Sequence, residues 1–518
     1  MATISVVSCD DFLREEPRSE RDAETFFQDA SDAYSVVNRL YRIGFSEHYN
    51  QNIYAGSYMM DGGYLSGFFE NEYKGQEVWI VHSQTLSLDG SIDNNHLQAM
   101  WERSYRAIVR HANYAIANIP DCPGLTDQER SVLLSEAKFF RALNYFYLVK
   151  NFGEVPLITD YYKSLDNLYV RRSNIAAIYN QMVKDLTEAL DGGLASKSFP
   201  ENGFRISKGS VAALLADVYL NMAGYPVRDD SKYAQAAVIA KSLIDDPAYV
   251  LIRHQDLEDN SAYNILRTSD TEKEYLYTIE YAAGIQDGSS RPMWCFPNTA
   301  ATWGEFRYVI CNNPYQPDPV LLAVYDKDND LRIQERQYFH TYYQQRNGNQ
   351  QIRNFGGPIP YFWWEEEAAL VTGVSVKDQT YYRLAEMYLI AAEATVRANN
   401  SVTDEAVDYL ATIQARASVN KDKTTIKSEL LSLNLSVDQF VEEVWKEKIR
   451  EFIFEFKLWN DITRTRKYPA TDSNGTFYFV DLIGAKNPFG HTFTEDKIYF
   501  PICSQELQRN PMLTEASE

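Results

Sequence analysis

The spacing of apolar and polar residues divides the chain into two helical blocks with an irregular stretch between them. Apolar residues recur at three- to four-residue intervals over most of residues 22–245 and again from residue 381 onwards, which predicts amphipathic helices. From residue 249 to residue 376 this period disappears, and Pro, Gly, Asn and aromatic residues dominate. An irregular segment of that length inside a folded protein is usually functional. The pattern therefore predicts an all-α scaffold with a large loop-rich part.

Capping residues locate the individual helices. Thr126 and Glu129 fit a capping box, and Gly153 would end the helix that starts there. Further helices are predicted over residues 173–190, 207–223, 232–244, 381–398, 403–417 and 437–464. They look like pairs joined by short turns, and the alanines of "LIAAEA" (residues 389–394) would let a neighbouring helix approach closely. Such pairs are typical of tetratricopeptide-like repeats, which stack because one pair alone cannot bury its apolar face.

Composition and charge narrow the classes of function. Of the 518 residues, 45% are hydrophobic and 24% are charged, as in ordered globular proteins. The net charge of −22 argues against nucleic acid and against docking on anionic lipid, because both need clustered Lys and Arg. No apolar run is long enough to span a membrane. The five cysteines and seven histidines are scattered, so we predict neither a disulfide framework nor a metal or cofactor site.

Several carboxylates lie on strongly apolar helical segments: Glu136, Glu386, Glu393, Glu451 and Glu455. Two of them could form the acid/base pair of a glycosidase. Alternatively, they pair with Arg141, Arg383 and Arg450, because a buried charge needs a partner. We favour the second interpretation, since each carboxylate lies within a helix and none lies in a loop. The sequence thus predicts no catalytic site and no enzymatic activity.

The aromatic residues are the stronger indication of function. They make up 14% of the chain, with 37 tyrosines, which exceeds what a core requires. A sugar ring stacks its apolar face on Trp or Tyr, and its hydroxyls bond to planar polar side chains. Residues 58–79 and 293–308 supply both kinds of side chain. The predicted ligand contacts are the rings of Tyr64, Trp79, Trp294 and Trp303 and the polar side chains of Asn298 and Arg307.

Some of these aromatic residues have a structural alternative. Trp101, Trp445 and Trp459 lie on helices at apolar spacing, so we predict that they are core residues. For a loop tryptophan such as Trp294 or Trp303, contact with a ligand and packing over the helices are equal alternatives. Measuring affinity and stability on the same variant separates them.

Five segments carry a recognisable combination of motifs. They are "EAKFFRALNYFYLVKNFGEVPLI" (residues 136–158), "FRISKGSVAALLADVYLNMAG" (204–224), "YRLAEMYLIAAEA" (382–394), "EKIREFIFEFKLWNDITR" (447–464) and "YFPICSQELQRNPMLTEA" (499–516). Together they resemble the SusD/RagB family of nutrient-binding lipoproteins of Bacteroidetes, over essentially the whole chain. Phe456 stands where that family usually has glycine, Leu458 where it has arginine, and Cys503 where it has proline. These departures affect packing only.

The resemblance implies a fold and a function. The fold is four tetratricopeptide-like helix pairs with a ligand site made by loops. It divides the chain into an N-terminal helical-repeat part (10–250, with a ligand loop at 49–89), a loop-rich part (251–376), and C-terminal helices with a tail (377–518). The implied function is capture of an oligo- or polysaccharide and its delivery to a SusC-like TonB-dependent transporter. Peptide capture, as in RagB-like members, is the alternative, and a surface glycosidase is a third possibility that no residue supports.

The resemblance also gives a role to Cys9, in the stretch "VVSCDD" (residues 6–11). Mature chains of the family begin at a lipid-bearing cysteine that follows a small residue and precedes acidic ones. Cys9 is therefore the implied lipidation site, residues 1–9 a truncated lipoprotein signal, and the location the outer face of the outer membrane, held by lipid alone. The eight residues before Cys9 carry no positive charge and are too short for a working signal, so we expect that the signal begins upstream or was trimmed.

Overall fold

The computed structural model describes residues 26–49, 63–71, 78–87, 94–162, 168–282, 288–306, 315–346, 348 and 350–517. Within these residues no helix combines the length and the apolar character that crossing a membrane requires. The α-helices that they form are α1 (Ala30–Leu40), α2 (Val78–Thr85), α3 (Asn94–Tyr105), α4 (Asn113–Asn118), α5 (Asp127–Phe152), α6 (Ile175–Asp191), α7 (Lys208–Ala223), α8 (Lys232–Ile244), α9 (Ala262–Thr268), α10 (Pro319–Leu322), α11 (Leu384–Asn399), α12 (Asp404–Ala417), α13 (Lys423–Ser432), α14 (Val437–Phe452), α15 (Leu458–Thr465) and α16 (Ser504–Arg509).

The longest helix, α5, begins and ends where its sequence predicts. The hydroxyl of Thr126 accepts a hydrogen bond from the backbone N–H of Glu129 at 3.2 Å, and the Glu129 carboxylate accepts one from the Thr126 N–H at 2.9 Å. At the other end Gly153 has a φ of 70°, in the left-handed region that favours glycine. A Cβ there would also lie 3.2 Å from the ring of Tyr499. The predicted capping box and terminus of this helix are confirmed.

The helices form a continuous stack. Helix α5 packs on α6, α6 on α7, α7 on α8, and α11 on both α12 and α14. Helices α8 and α11 are also neighbours, although the whole irregular part separates them in sequence. Their apolar faces form one large core, in which the three alanines of "LIAAEA" have no exposed surface. The predicted α-helical scaffold of stacked, tetratricopeptide-like elements is confirmed.

The irregular part contains short strands that the helical pattern did not predict. The strands of the described residues pair antiparallel, two by two: β1 (Phe69–Glu70) with β3 (Gln316–Pro317), β2 (Tyr275–Ile279) with β6 (Gln379–Arg383), β4 (Phe339–Gln344) with β5 (Ile352–Pro360), and β7 (Lys467–Thr471) with β8 (Phe477–Asp481). The β4–β5 hairpin projects from the loop-rich part and carries aromatic side chains. The β2–β6 pair joins that part to the scaffold, because β6 continues directly into α11.

Two predicted helix boundaries are wrong. Residues 381–383 belong to strand β6, because their backbone pairs with β2 before the chain turns into α11. The predicted helix at 437–464 is two helices, α14 and α15, and Phe456 lies in the break with a φ of 62°. The left-handed region is unfavourable for a bulky residue. The Phe456 ring compensates by burial, because it stacks on Trp363 at 5.5 Å with the planes 9° apart.

The carboxylates on apolar helices are all paired with basic side chains, as predicted, but most of the partners differ from the expected ones. Arg141 contacts Asp185 at 2.6 Å, and Glu136 is instead paired with Arg205 at 2.5 Å. The other pairs are Glu386 with Lys457, Glu393 with Arg464, and Glu455 with Arg383. Glu455 lies in the break between α14 and α15, so its predicted place within a helix is wrong. Spacing along one helix cannot identify such partners, because they come from distant segments. Arg450 contacts Glu447, one turn away, at 2.9 Å.

The most extensive of these ion pairs form a buried network around Glu451. Its carboxylate accepts hydrogen bonds from Arg332 at 2.9 Å, from Arg383 at 2.6 Å and from Arg416 at 2.6 Å. Glu274 contacts both Arg383 and Arg416, at 3.0 and 2.7 Å. Burial opposes ionisation of Glu451, but the charges of the three arginines outweigh it and lower its pKa to about 2. The network therefore connects α12, α14 and the β2–β6 pair to the segment that leads into β4.

We predict that Glu451→Gln lowers the free energy of unfolding by about 3–5 kcal/mol, because it leaves buried arginine charges without their shared partner. The pKa of Glu451 lies below its ordinary value of 4.5, so its contribution is complete above that pH and is lost as the pH falls towards 2. Urea unfolding at several pH values measures both effects. The matched control is Glu429→Gln, which breaks an exposed pair with Lys421 and should cost less than about 1 kcal/mol. Equal losses in the two variants would contradict the prediction.

Candidate ligand-binding site

A second hydrophobic cluster, separate from the main core, lies in the loop-rich part. We call it the aromatic cluster, and its rings are those of Phe296, Trp303, Phe306, Tyr343, Phe355, Tyr361, Trp363 and Trp364. Two short helical turns, Arg291–Cys295 and Asn298–Thr302, lead into the first three rings, and the β4–β5 hairpin and the chain that follows it supply the others. The cluster thus forms where the two halves of the loop-rich part meet.

The rings of this cluster pack around Phe296. Its centroid lies 4.3 Å from that of Phe306 and 4.9 Å from that of Trp364. Trp303 is half-buried and nearly parallel to both Tyr343 and Phe355, with interplanar angles of 12° and 11°. The guanidinium carbon of Arg353 also lies over this ring, 5.6 Å from its centroid. Trp303 is therefore a partly exposed ring of the hairpin surface that lies in the same cluster as the cleft residues but lines neither of the two clefts that adjoin it.

A buried, neutral histidine, His340, packs against the aromatic cluster. The Nε2 of His340 lies 2.6 Å from the backbone carbonyl of Cys295, and since a carbonyl only accepts, Nε2 must carry the proton. Burial, helped by the nearby charges of Arg336 and Arg267 and opposed by the hydrogen bond to the Cys295 carbonyl, lowers the pKa of His340 to about 3. The imidazole therefore stays uncharged at neutral pH and holds the turn that carries Trp294 and Cys295 against β4.

Two clefts adjoin the aromatic cluster and share one wall. The first has a volume of about 480 Å³ and the second about 390 Å³. Both are bordered by Arg336, Arg346, Tyr361 and Trp364. Two wider depressions, of about 720 and 850 Å³, lie among the scaffold helices and away from this cluster. Aromatic rings beside a cleft with a few polar groups are the usual composition of a small-molecule site, so we place the candidate site at the two clefts.

Charged and polar groups line the clefts. Tyr343 and Arg346 line the second cleft and are held by Glu305, which lies outside the lining and accepts hydrogen bonds from the Tyr343 hydroxyl at 3.0 Å and from the Arg346 backbone N–H at 2.7 Å. The Arg346 side chain is paired with Glu366. One carboxylate oxygen of Glu365 is buried and has no hydrogen-bond donor among the residues that the structure describes. The clefts therefore present both donors and acceptors beside apolar ring faces.

Two of the rings predicted to contact a ligand lie in the core. Trp294 has 0% exposed surface and stacks on Tyr315 at 4.9 Å with the planes 5° apart. Tyr64 is 5% exposed and packs against the same ring at 5.2 Å. The structure thus brings these two predicted residues together around Tyr315, but neither presents a face to a ligand. For Trp294 the alternative holds, in which the loop tryptophan covers the helices.

The remaining predicted contacts are only partly visible. Trp303 lies in the aromatic cluster, half-buried, and stays a candidate. The side chains of Trp79 and Asn298, and residues Arg307 and Cys9, lie outside the described part of the structure. Trp101 and Trp459 are buried, as predicted for helical tryptophans, and Trp445 is partly buried against the same core.

Sequence reasoning missed several residues that line the clefts, namely Arg267, Arg336, Tyr343, Tyr361 and Trp364. The run "YFWW" at residues 361–364 is a visible indication of an aromatic site. Another feature cannot be seen in a sequence: Arg336 has a φ of 61°. A non-glycine residue in the left-handed region is uncommon, and such residues concentrate at binding sites.

A stack of helices with a loop-rich part that forms aromatic clefts places the protein among helical-repeat proteins with an appended ligand site. The chain belongs to the SusD family: the family's profile matches residues 253–518, and a profile described as "Starch-binding associating with outer membrane" matches residues 11–220. Members of this family are binding proteins, generally of glycans at the cell surface. The resemblance stated from the sequence motifs is confirmed.

Individual relatives agree with this assignment. The chain is 23% identical to SusD-like protein P25 of Formosa agariphila, over 99% of this chain and 96% of that one. A SusD superfamily structure from Parabacteroides distasonis superposes with a TM-score of 0.80 at 26% identity, covering 93% of this chain and 98% of that one. A structure called surface glycan-binding protein A, from Bacteroides uniformis, shares the fold with a TM-score of 0.67 at 18% identity and covers 93% and 98%.

We predict that Trp303→Ala weakens binding of a recognised glycan by tenfold or more, because a stacked ring contributes about 1–2 kcal/mol. Its melting temperature should fall less than that of a fully buried tryptophan variant, since the Trp303 ring is only partly buried. Trp294→Ala is the matched control, and it should do the opposite, costing about 3–5 kcal/mol of stability because the ring is fully buried. Calorimetric titration and thermal unfolding of both variants test this. Unchanged affinity with lost stability in the Trp303 variant would assign Trp303 to the core.

Proposed function

We propose that the protein is a cell-surface lipoprotein that captures an oligo- or polysaccharide and delivers it to a SusC-like TonB-dependent transporter in the outer membrane. The observation that carries the proposal is the aromatic cluster beside two polar-lined clefts. Rigid ring faces stack on the apolar faces of sugars, and the polar groups around them bond to hydroxyls. Family membership supports the same class of ligand.

The proposed role is binding without catalysis. An acid/base pair in a glycosidase needs two carboxylates that face one bond of the substrate. The carboxylates considered for that role, Glu136, Glu386, Glu393, Glu451 and Glu455, are each paired with an arginine or a lysine. Such pairs account for their burial without any catalytic role. These carboxylates are therefore parts of the scaffold.

We predict that the protein binds one or more members of an oligosaccharide array and binds no member of a peptide pool. The Trp303→Ala variant should lose the glycan signal while remaining folded. Binding of peptides alone would favour the RagB-like alternative and refute the proposal.

Prolonged incubation with a bound sugar should leave it intact, which chromatography of the mixture tests. Hydrolysis that survives purification and disappears in Glu136→Gln or Glu386→Gln would show an enzyme instead.

We further predict that Cys9 carries the lipid anchor. When the chain is expressed behind an intact lipoprotein signal, Cys9→Ala should move it from the membrane fraction to the soluble fraction, because several acyl chains on one cysteine are needed for stable anchoring. Cys122→Ala is the control: this thiol is buried in the fold and should not affect anchoring. Protease treatment of whole cells tests whether the anchored protein faces outwards. A Cys9 variant that stays in the membrane fraction would place the anchor elsewhere.

A further inference from the structure

Arg267 lines the first cleft without an ion pair to a carboxylate of the described residues, a property that it shares with Arg130, which donates only to backbone carbonyls and lies outside the clefts. Arg267 is half-buried in the wall of the first cleft, and its guanidinium donates to the Asn264 side-chain oxygen at 3.0 Å and to the Trp364 carbonyl at 2.7 Å. Both acceptors are uncharged, and no carboxylate of the described residues forms an ion pair with it. By contrast, the buried arginines that do contact carboxylates are Arg141, Arg332, Arg383, Arg416 and Arg464. In a chain with a net charge of −22, an uncompensated cation in a cleft needs an explanation.

A second guanidinium lies next to it, on the same aromatic ring. The guanidinium carbon of Arg267 is 4.7 Å from the centroid of Tyr361, and that of Arg336 is 5.8 Å from it. Arg336 also donates to the Tyr361 hydroxyl at 3.4 Å. Its ion pair is with Asp259 at 3.5 Å, between side chains that are 52% and 75% exposed. Such an exposed ion pair contributes little to stability, so a ligand can readily take the place of Asp259.

The first cleft is lined by both acidic and basic side chains, and within it Arg267 lies in the field of a second cation, Arg336. Burial lowers the pKa of Arg267, and the charge of Arg336 lowers it further. The two arginines therefore repel each other, and an anion between them would relieve the repulsion. Of the acidic side chains that line the first cleft, Glu366 pairs with Arg346 and Asp270 pairs with Lys377, whereas Glu365 keeps one buried oxygen without a donor among the described residues.

We infer that the glycan bound at this site is acidic, and that Arg267 and Arg336 together bind a carboxylate or sulfate group on one of its sugar rings beside Tyr361. The planar guanidinium matches the oxygens of either group through paired hydrogen bonds. Only the small exposed part of Trp364, which is 9% exposed, would border the ligand, and the free oxygen of Glu365 would accept a hydrogen bond from a hydroxyl. This inference rests on the proposed function, because it specifies the chemical class of the captured glycan.

The test is binding to an array that contains carboxylated, sulfated and neutral oligosaccharides, each acidic one with its carboxyl-reduced or desulfated counterpart. We expect the bound glycans to be acidic, their neutralised counterparts to bind at least about tenfold more weakly, and affinity to fall as salt increases. The pair of counterparts that differs most identifies the group as carboxylate or sulfate. Arg267→Gln and Arg336→Gln should each lower the affinity about tenfold. Arg267→Lys keeps the positive charge but lacks the planar pair of N–H donors, so it should lower the affinity less than Arg267→Gln.

The control is Arg253→Gln, which changes an exposed arginine that lines neither cleft and should leave binding unchanged. Thermal unfolding of every variant separates ligand binding from stability. Binding of neutral glycans only, or acidic glycans bound equally well by the Arg267 and Arg336 variants, would overturn the inference and leave the proposed function standing. Binding of peptides only would overturn both. An Arg267→Gln variant that loses stability but not affinity would show a structural arginine and refute its role in binding.

Discussion

The loop-rich part of the molecule is held in place by buried charge. Glu451 receives three arginines from three different segments, and the network extends through Glu274 to the start of β2. A buried charge is costly unless its partners are well placed. Each segment can therefore keep its position only while the others keep theirs. Because Arg332 lies directly before the hairpin that supports the aromatic cluster, the geometry of the clefts depends on this network more than on any contact within the loops.

Much of the scaffold follows from the sequence because its determinants are local. The capping box at Thr126, the left-handed Gly153 and the apolar period specify α5 almost to the residue. The errors arise where distant contacts override local preference. Strand β6 exists because β2 lies beside it, and α14 ends where Phe456 turns into the core. The partners of the buried carboxylates could not be predicted either, because helical spacing identifies neighbours on the same helix and these ion pairs join distant segments.

The candidate site was predictable in kind but not in detail. An excess of loop aromatics pointed to the loop-rich part, and the aromatic cluster lies there, yet two tryptophans nine positions apart have opposite environments. Trp294 is enclosed by Tyr315 and Trp363, whereas Trp303 lies half-buried over the hairpin. Composition does not distinguish these environments. Arg267 was missed for a different reason: what makes it notable is the lack of a carboxylate partner in three dimensions, and a sequence does not record that lack.

Phe456 has an evolutionary consequence. Its backbone conformation suits the glycine that is usual in the family, whereas its ring fills the space under Trp363 and beside Arg291. Glycine can be replaced by phenylalanine here only if stacking of the ring stabilises the fold by more than the left-handed backbone conformation destabilises it. That condition is met when an aromatic residue already occupies position 363. Loss of the ring at position 363 would therefore leave the left-handed backbone of Phe456 without the stacking that compensates it, so the side chain at position 363 limits which residues position 456 can carry.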